Sequence, residues 1–192
     1  MENTITGAFR ASIAVKQAVL ADEVFLNKIE QTAQLLLLTF QQDGKVLFCG
    51  NGGSAADAQH LAAELSGRFY TDRPPLFAEA LHVNTSYLTA VANDYGYERV
   101  FARMVDAAGR PGDVLVAIST SGNSASILNA IEKARDRGMT VIGLTGASGG
   151  LMAGLCDILL NVPSTDTPRI QEAHSLIGHV LCERVEKEMF GL

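Results

Sequence analysis

The stretch Lys45–Ser54, which reads KVLFCGNGGS, constrains the fold of this chain more than any other. Val46–Cys49 is a short apolar run of the kind found in strands that are buried on both faces of a sheet. It ends at the turn Gly50–Gly53, and Ser54 suits the N-cap of a following helix. Glycine lets the backbone approach a ligand, and the first N–H groups of a helix point toward it. The stretch therefore predicts a phosphate site.

A dinucleotide site and a simple tight turn are the alternatives for this stretch. Gly50, Gly52 and Ala55 satisfy G-x-G-x-x-A, but a dinucleotide site also needs an acidic residue at the end of the second strand. The predicted second strand, 77–81, runs into His82 instead. The P-loop pattern fails, because no Gly-Lys-Ser/Thr follows.

Apolar runs alternate with helical patterns along the rest of the chain. We predict further strands at 77–81, 113–118, 140–144 and 157–162. We predict helices at 5–20, 23–42, 85–92 and 96–108, with a break at 93–96, then one ending at 137 and one from Pro168 onward. Crossovers of this length are right-handed, which gives a parallel sheet with helices on both faces. The expected architecture is one α/β domain over 1–192, with N-terminal helices at 1–43 and the sheet core and C-terminal helix at 44–192.

Composition narrows the class of protein. A chain of 192 residues that is 47% hydrophobic can bury one ample core. A net charge of −6 disfavours a nucleic-acid partner. The three cysteines show no C-x-x-C spacing and are expected to be reduced thiols of a cytoplasmic protein. No apolar run reaches membrane length, and we expect no membrane partner.

A second polar loop follows the predicted third strand. Its sequence, STSGNS, places the hydroxyls of Ser119, Thr120, Ser121 and Ser124 where a helix opens. The terminal oxygens of a phosphate monoester accept several short N–H and O–H bonds, which such a loop can donate. An ordinary capped turn is the alternative, but it needs only one serine and one glycine. With no P-loop lysine, the two loops together favour a phosphosugar over a nucleotide.

Polar side chains recur at helical spacing on two helices. His60 and Glu64 share a face of the helix that leaves the glycine turn. Gln171 and His179 lie on one side of the last helix, with small residues between or beside them. Packing or surface exposure is the alternative for each of these residues alone. If the two helices face one another, the four side chains form one polar cluster.

The run Leu35–Leu38 is apolar on more than one face of the second helix. This suits a helix that packs against both its own domain and a partner subunit, and burial in a single chain is the alternative. The long last helix also needs partners. We therefore predict an assembly in which the active site is completed between subunits.

The motifs together resemble the sugar isomerase (SIS) domain family and, within it, the phosphoheptose isomerases. The resemblance covers essentially the whole chain and rests on CGNGGS, the following H-x-x-x-E, the AND of Ala92–Asp94, ISTSGNS, and RIQEAH with His179. It implies a five-stranded parallel sheet in flavodoxin-like order and a homotetramer. It also implies conversion of D-sedoheptulose 7-phosphate to D-glycero-D-manno-heptose 7-phosphate, a step that opens the heptose pathway to lipopolysaccharide core or other bacterial glycans.

The resemblance also implies roles for individual residues. The implied substrate contacts are Asn51, Gly52, Gly53, Ser54, Glu64, Asn93, Asp94, Ser119, Thr120, Ser121, Ser124 and Gln171. The implied acid/base pair is Glu64 and His179. The implied ligands of one Zn²⁺ per subunit are His60, Glu64, Gln171 and His179. One departure is Pro168, which stands where the family commonly has an acidic residue; Asp166 lies two residues away.

The chemistry of a carboxylate and an imidazole suits this activity. Exchange between a ketose and an aldose needs a base for a carbon-bound proton and an acid that serves the oxygens, through an enediol. Two other functions stay open. One is an isomerase of another phosphosugar. The other is a binding module like the DnaA initiator-associating protein, which keeps the loops but lacks the glutamate and the last-helix histidine that Glu64 and His179 provide here.

Overall fold

The sheet has five parallel strands, as predicted. A computed structural model describes residues 4–191. Its strands are β1 (Val46–Gly50), β2 (Ala78–Ala80), β3 (Val114–Ile118), β4 (Thr140–Thr145) and β5 (Ile158–Asn161), and their order is β2-β1-β3-β4-β5. This order confirms the flavodoxin-like arrangement. The connections place the helices on both faces of the sheet, because parallel strands need crossovers.

Between residues 4 and 191, seven α-helices surround the sheet. They are α1 (Thr4–Ala21), α2 (Glu23–Gln41), α3 (Gly53–Ser66), α4 (Thr85–Tyr95), α5 (Val100–Ala108), α6 (Ala125–Asp136) and α7 (Thr167–Phe190). Short 3₁₀ turns at Tyr97–Arg99 and Gly150–Gly154 complete the described elements. Among the described residues, no helix combines the length and apolar composition that crossing a membrane requires.

The strand order reverses between β1 and β3. These strands are neighbours, and Gly50 at the end of β1 pairs with Ile118 at the end of β3. The glycine turn and the serine loop therefore leave the same edge of the sheet side by side. Ligands of open α/β sheets bind at such a switch point.

Alternating strand residues divide the interior into two hydrophobic cores. Val46 and Phe48 face a core that is covered by α2, α3 and α7. Leu47 and Cys49 face a second core that is covered by α4, α5 and α6. Both faces of β1 are buried, which explains why its sequence is an unbroken apolar run.

The N-terminal helices differ in how much they bury. In α2, Leu36 and Leu37 are buried in the protomer, whereas the side chain of Leu38 is 51% exposed. Only part of the leucine run is therefore available to a partner. Helix α1 packs along α7 and α2, yet it has no buried residue along its 18 residues.

Two local predictions were wrong. Ser54 is not the N-cap of α3: Gly52 holds that position with φ +57°, and Ser54 is buried in the first turn. The turn is tight enough that the helix begins before the serine. The predicted helix break at 93–95 is also absent, because α4 continues through Tyr95. Gly96, whose φ is +89°, is its C-cap.

Candidate active site

The glycine turn is shaped by close contacts on both of its sides. A Cβ at Gly50 would lie 2.3 Å from the carbonyl oxygen of Ser54, and one at Gly53 would lie 2.4 Å from Nε2 of Gln171. A Cβ at Gly52 would meet nothing within 4 Å. The open side of the turn therefore lies at Gly52. The N–H groups of Ser54 and Ala55 donate to the carbonyls of Asn51 and Gly52 at 3.0 and 3.1 Å, so an anion at the turn would be attracted by the N-terminal end of the α3 dipole and by the N–H groups that precede Ser54.

Three hydroxyls converge in the serine loop. Oγ of Ser119 lies 3.2 Å from Oγ of Ser124 and 3.5 Å from Oγ of Ser121. Ser124 is the N-cap of α6, but its side chain makes no capping hydrogen bond. A serine that only capped the helix would accept a hydrogen bond from a backbone N–H of the first turn, so the arrangement favours the ligand interpretation over the ordinary turn.

Thr120 and Ser121 of the serine loop line a neighbouring cleft of about 290 Å³. Its other lining residues include Ser148, Ser164 and Thr167, which follow β4 and β5. The backbone is fixed here because Gly146 N donates to the carbonyl of Thr120 at 2.9 Å. The cleft is rich in hydroxyls and adjoins the serine loop, so it extends the polar surface at this edge of the sheet.

Helices α3 and α7 approach each other closely next to their histidines. A Cβ at Gly178 would lie 2.4 Å from Cδ2 of Leu61. Gly178 therefore serves close helix packing, one of the two interpretations of a glycine inside this helix. Because His60 precedes Leu61 and His179 follows Gly178, the close approach brings the two imidazoles together.

The two histidines and Glu64 form a compact cluster. Nε2 of His60 lies 2.8 Å from Nε2 of His179, and it lies 3.5 Å from Oε1 of Glu64. One possible metal-ligating atom from each residue falls within 4.8 Å of the others. The group could hold a metal ion. The side chain of Glu64 is 24% exposed, so the cluster opens to solvent.

The remaining predicted residues lie around this cluster. The Gln171 amide packs over Gly53 at the glycine turn. Asn93 and Asp94 are exposed in the last turn of α4, where Nδ2 of Asn93 donates to Oδ1 of Asp94 at 2.9 Å. Asp166 is the exposed N-cap of α7, and Pro168 lies in the first turn.

Tyr97 was missed by sequence reasoning. Its hydroxyl donates to Oδ1 of Asn51 at 2.8 Å, while Nδ2 of Asn51 donates to Oγ of Ser126 at 3.0 Å. These bonds fix the orientation of a side chain at the glycine turn. No sequence spacing links 51 to 97, because the contact depends on where the chain turns at Gly96.

Asp57 ties α3 to α7 below the histidines. Oγ of Ser175 donates to its Oδ1 at 2.6 Å. The neighbouring His174 is fully buried, and its Nε2 lies 3.1 Å from the carbonyl oxygen of Thr145. Burial lowers the pKa of His174, although the contact with this carbonyl opposes the shift. A lowered pKa favours the neutral imidazole.

Glu186 is the most strongly perturbed acid of the described chain. Burial alone would raise its pKa, but N–H groups of Phe69, Tyr70 and Thr71 and the guanidinium of Arg73 lower the pKa to about 2. The carboxylate therefore contributes stability that is complete above the ordinary carboxyl pKa of 4.5 and is lost as pH falls toward 2. Its spacing of seven residues from His179 puts both on one side of α7, a signal that the sequence did contain.

Comparison with known proteins gives a consistent result. Residues 9–146 match the sequence model of the SIS domain. The chain is 52% identical to a phosphoheptose isomerase of Aneurinibacillus thermoaerophilus over 190 residues, which cover 99% of this chain and 96% of that protein. It is 53% identical to phosphoheptose isomerase 2 of Campylobacter jejuni over 194 residues, with coverage of 100% and 96%.

Solved structures agree with these matches. A phosphoheptose isomerase from Neisseria gonorrhoeae superposes with a TM-score of 0.89 at 47% identity, covering 95% of this chain and 97% of that one. One from Francisella tularensis superposes with a TM-score of 0.91 at 42% identity, with coverage of 95% and 96%. The similarity therefore includes every strand and helix that builds the site.

Proposed function

Because the chain belongs to the SIS-domain family and, within it, to the phosphoheptose isomerases, we propose that its site interconverts D-sedoheptulose 7-phosphate and D-glycero-D-manno-heptose 7-phosphate. The observation that carries the proposal is the His60–Glu64–His179 cluster beside two phosphate-type loops at the switch point of the sheet. The enzyme is an aldose–ketose isomerase. The loops hold the phosphate end of the sugar, and the cluster acts at the carbonyl end.

Glu64 and His179 are the proposed acid/base pair. Glu64 takes the proton from the carbon next to the carbonyl, and His179 moves protons at the two oxygens, so that an enediol forms and collapses to the isomer. Nε2 of His179 lies 2.8 Å from Nε2 of His60, which keeps the His179 ring in the cluster. Asn51, Gln171, Asn93 and Asp94 are proposed to bind the sugar, and Gly52, Gly53 and Ser54 to line the turn.

The donor set of the cluster fits a zinc ion. Two imidazoles and one carboxylate form a common ligand set of catalytic zinc sites. We assign one Zn²⁺ per subunit to His60, Glu64 and His179, with Gln171 as the fourth ligand; the sugar would then enter as a fifth ligand, which catalytic zinc can accept. Bound zinc would polarise the sugar carbonyl and stabilise the enediolate.

Metal content tests this assignment independently of turnover. We expect the purified protein to carry about one zinc per subunit by elemental analysis, and His60→Ala to lose most of it. His82→Ala is the control, because His82 lies outside the cluster. Equal zinc content in both variants, or none in the unaltered protein, would contradict the assignment.

A substrate panel tests the reaction itself. We expect turnover of D-sedoheptulose 7-phosphate, and none of sedoheptulose that lacks the phosphate. Ketose phosphates of five and six carbons serve as comparisons. If a shorter sugar phosphate is turned over faster, that sugar and not the heptose is the substrate. If no sugar is turned over, the binding module is favoured.

Ser124 tests the phosphate end of the site. We expect Ser124→Ala to raise KM about ten- to a hundredfold with little change in kcat, because losing one donor to a charged group costs roughly 1.5–3 kcal/mol. Ser86→Ala is the matched control, since Ser86 is an exposed serine in the first turn of α4. An unchanged KM for Ser124→Ala would place the phosphate elsewhere.

A homotetramer is the proposed assembly, and α1 supports it. Its exposed side chains Ile5, Phe9, Ile13 and Leu20 form an apolar stripe along one side. Beside it, α1, α2 and α7 line an apolar cavity of about 470 Å³. Val15 and Val19 are partly buried against the core, but no side chain of this 18-residue helix is fully buried in its own protomer, which leaves the apolar stripe for a partner.

Phe9→Glu should dissociate the assembly. A charge in the stripe would be buried without a partner, so we expect smaller particles in light scattering and a parallel loss of turnover, because the site is completed between subunits. Ala18→Glu is the control, since Ala18 is exposed on α1 outside the stripe. A fully active Phe9→Glu monomer would rule out the shared site.

The reaction is proposed to take place in the cytoplasm, at the start of the route to heptose-containing glycans such as lipopolysaccharide core. The cysteines support a reducing compartment. Cys49, Cys156 and Cys182 are all free, and burial raises the pKa of Cys182 to about 12.

A further inference from the structure

The segment that follows α3 is fastened to α7 by one buried carboxylate. Oε1 and Oε2 of Glu186 accept hydrogen bonds from three successive backbone N–H groups, those of Phe69, Tyr70 and Thr71, at 2.8–3.1 Å. Glu186 is only 1% exposed. Three N–H groups on one carboxylate fix the path of the backbone rather than a single side chain.

Arg73 binds the same carboxylate and also the C-terminal end of α3. Its Nε donates to Oε2 of Glu186 at 2.9 Å, and both side chains are 2% exposed. The guanidinium also donates to the carbonyls of Glu64 and Leu65, each at 2.8 Å. Those carbonyls lie in the last turn of α3, where no intrahelical donor reaches them. Arg73 therefore joins the end of α3 to α7 through Glu186.

Both members of the proposed acid/base pair contact residues that Arg73 and Glu186 hold in place. Glu64 contributes its own backbone carbonyl to Arg73. His179 packs against Phe69, with ring centroids 5.7 Å apart, and Phe69 is held through its N–H by Glu186. A shift of the segment would move the base and the acid relative to each other.

We propose that Arg73 and Glu186 are positioning residues for isomerisation, which fix Glu64 and His179 relative to each other. They act on Glu64 through the C-terminal end of α3 and on His179 through Phe69. The inference rests on the proposed function. A purely structural role accounts less well for the pair, because buried ion pairs are commonly no more stabilising than apolar side chains of similar volume. Neither residue touches substrate; both act through the residues that they hold.

Arg73→Lys tests the proposal most directly, because lysine keeps the charge but loses the planar fork of donors. We expect kcat to fall at least about tenfold with KM within about threefold, since small misplacements of reacting groups are costly. Phe69→Leu keeps the backbone N–H bond to Glu186 but removes the ring that packs on His179 and on Tyr70, and we expect a smaller fall of kcat with the same unchanged KM. Melting curves establish that each variant is folded at the assay temperature.

The matched control is the Lys45–Asp113 ion pair, which lies at the opposite end of the strands. Its side chains are 15% and 5% exposed. Lys45→Met should lower the melting temperature while leaving kcat within about twofold, because this pair lies away from α3 and α7, the helices that carry Glu64 and His179. A similar loss of kcat in Lys45→Met would reduce the effect of Arg73 to general destabilisation and overturn the proposal.

A spectroscopic readout separates this inference from the proposed function. In protein labelled at histidine ¹³Cε1, we expect Arg73→Lys and Phe69→Leu to shift the ring signal of His179 at fixed pH, and Lys45→Met to leave it in place. If the protein isomerises no sugar, the proposed function fails, while the His179 signal still tests whether Arg73 and Glu186 position His179. Unchanged kcat and an unchanged His179 signal in folded Phe69→Leu would overturn the positioning role, even if Arg73→Lys fails to fold.

Discussion

Replacing Glu64 by glutamine should abolish most turnover without disturbing the fold. We expect kcat to fall about 10²–10⁴-fold, the range that a positioned general base contributes, while KM changes little. Glutamine has the shape and hydrogen-bonding capacity of glutamate but cannot take the proton from carbon. The side chain of Glu64 is partly exposed and glutamine has nearly the same shape, so stability should be retained.

The matched control for Glu64 is Glu79→Gln. Glu79 is an exposed carboxylate in the middle of β2 and lies outside the cluster. Steady-state kinetics on both variants should show the loss in only one. If Glu64→Gln kept more than a tenth of the kcat of the unaltered enzyme, a difference below about 1.4 kcal/mol, Glu64 would not be the base.

Gly122→Ala should produce the second large effect, at the other end of the substrate. Gly122 has φ +67°, and a Cβ there would lie 2.1 Å from the carbonyl oxygen of Gly149. The backbone of the serine loop would have to move, and the convergence of Ser119, Ser121 and Ser124 would be lost. Two lost donors to a phosphate cost about 3–6 kcal/mol together, so we expect kcat/KM to fall more than about a hundredfold.

Gly154→Ala is the control for that substitution. A Cβ at Gly154 meets nothing within 4 Å, so the same added methyl group should be tolerated. Comparison of kcat/KM on the phosphorylated heptose should separate the two glycines. Equal kinetics would mean that the serine loop does not need the conformation that Gly122 gives it.

The sheet and its order could be predicted because their signals are local. Each buried strand is a short apolar run between turn residues, and the order follows from the resemblance of the motifs. The helices α2 and α7 were also predicted within two residues at each end where the chain is described. The start of α3 was placed too late, because the tightness of the turn depends on the contact between Gly50 and the Ser54 carbonyl, which no propensity records.

The parts of the site that sequence reasoning missed are contacts between distant segments. Glu186 and Arg73 are 113 residues apart, and Tyr97 meets Asn51 across 46 residues. A charged residue in a helical sequence is usually solvated, so the spacing of Glu186 from His179 indicated a shared side of α7 but not burial. The cluster of His60, Glu64 and His179 was predictable because helical spacing defines a face, and the close approach at Gly178 then supplied the geometry.

The division of the interior into two cores has a consequence for the length of the sugar. The proposed acid/base pair is carried by α3 and α7, which cover one core, whereas the serine loop leads into α6, which covers the other. The strands β1 and β3 lie between them, and well-packed interiors yield little. If the serine loop binds the phosphate and Glu64 acts at the carbonyl, the sugar must reach from one face of β1 and β3 to the other, so we expect kcat/KM to depend on the length of the carbon chain.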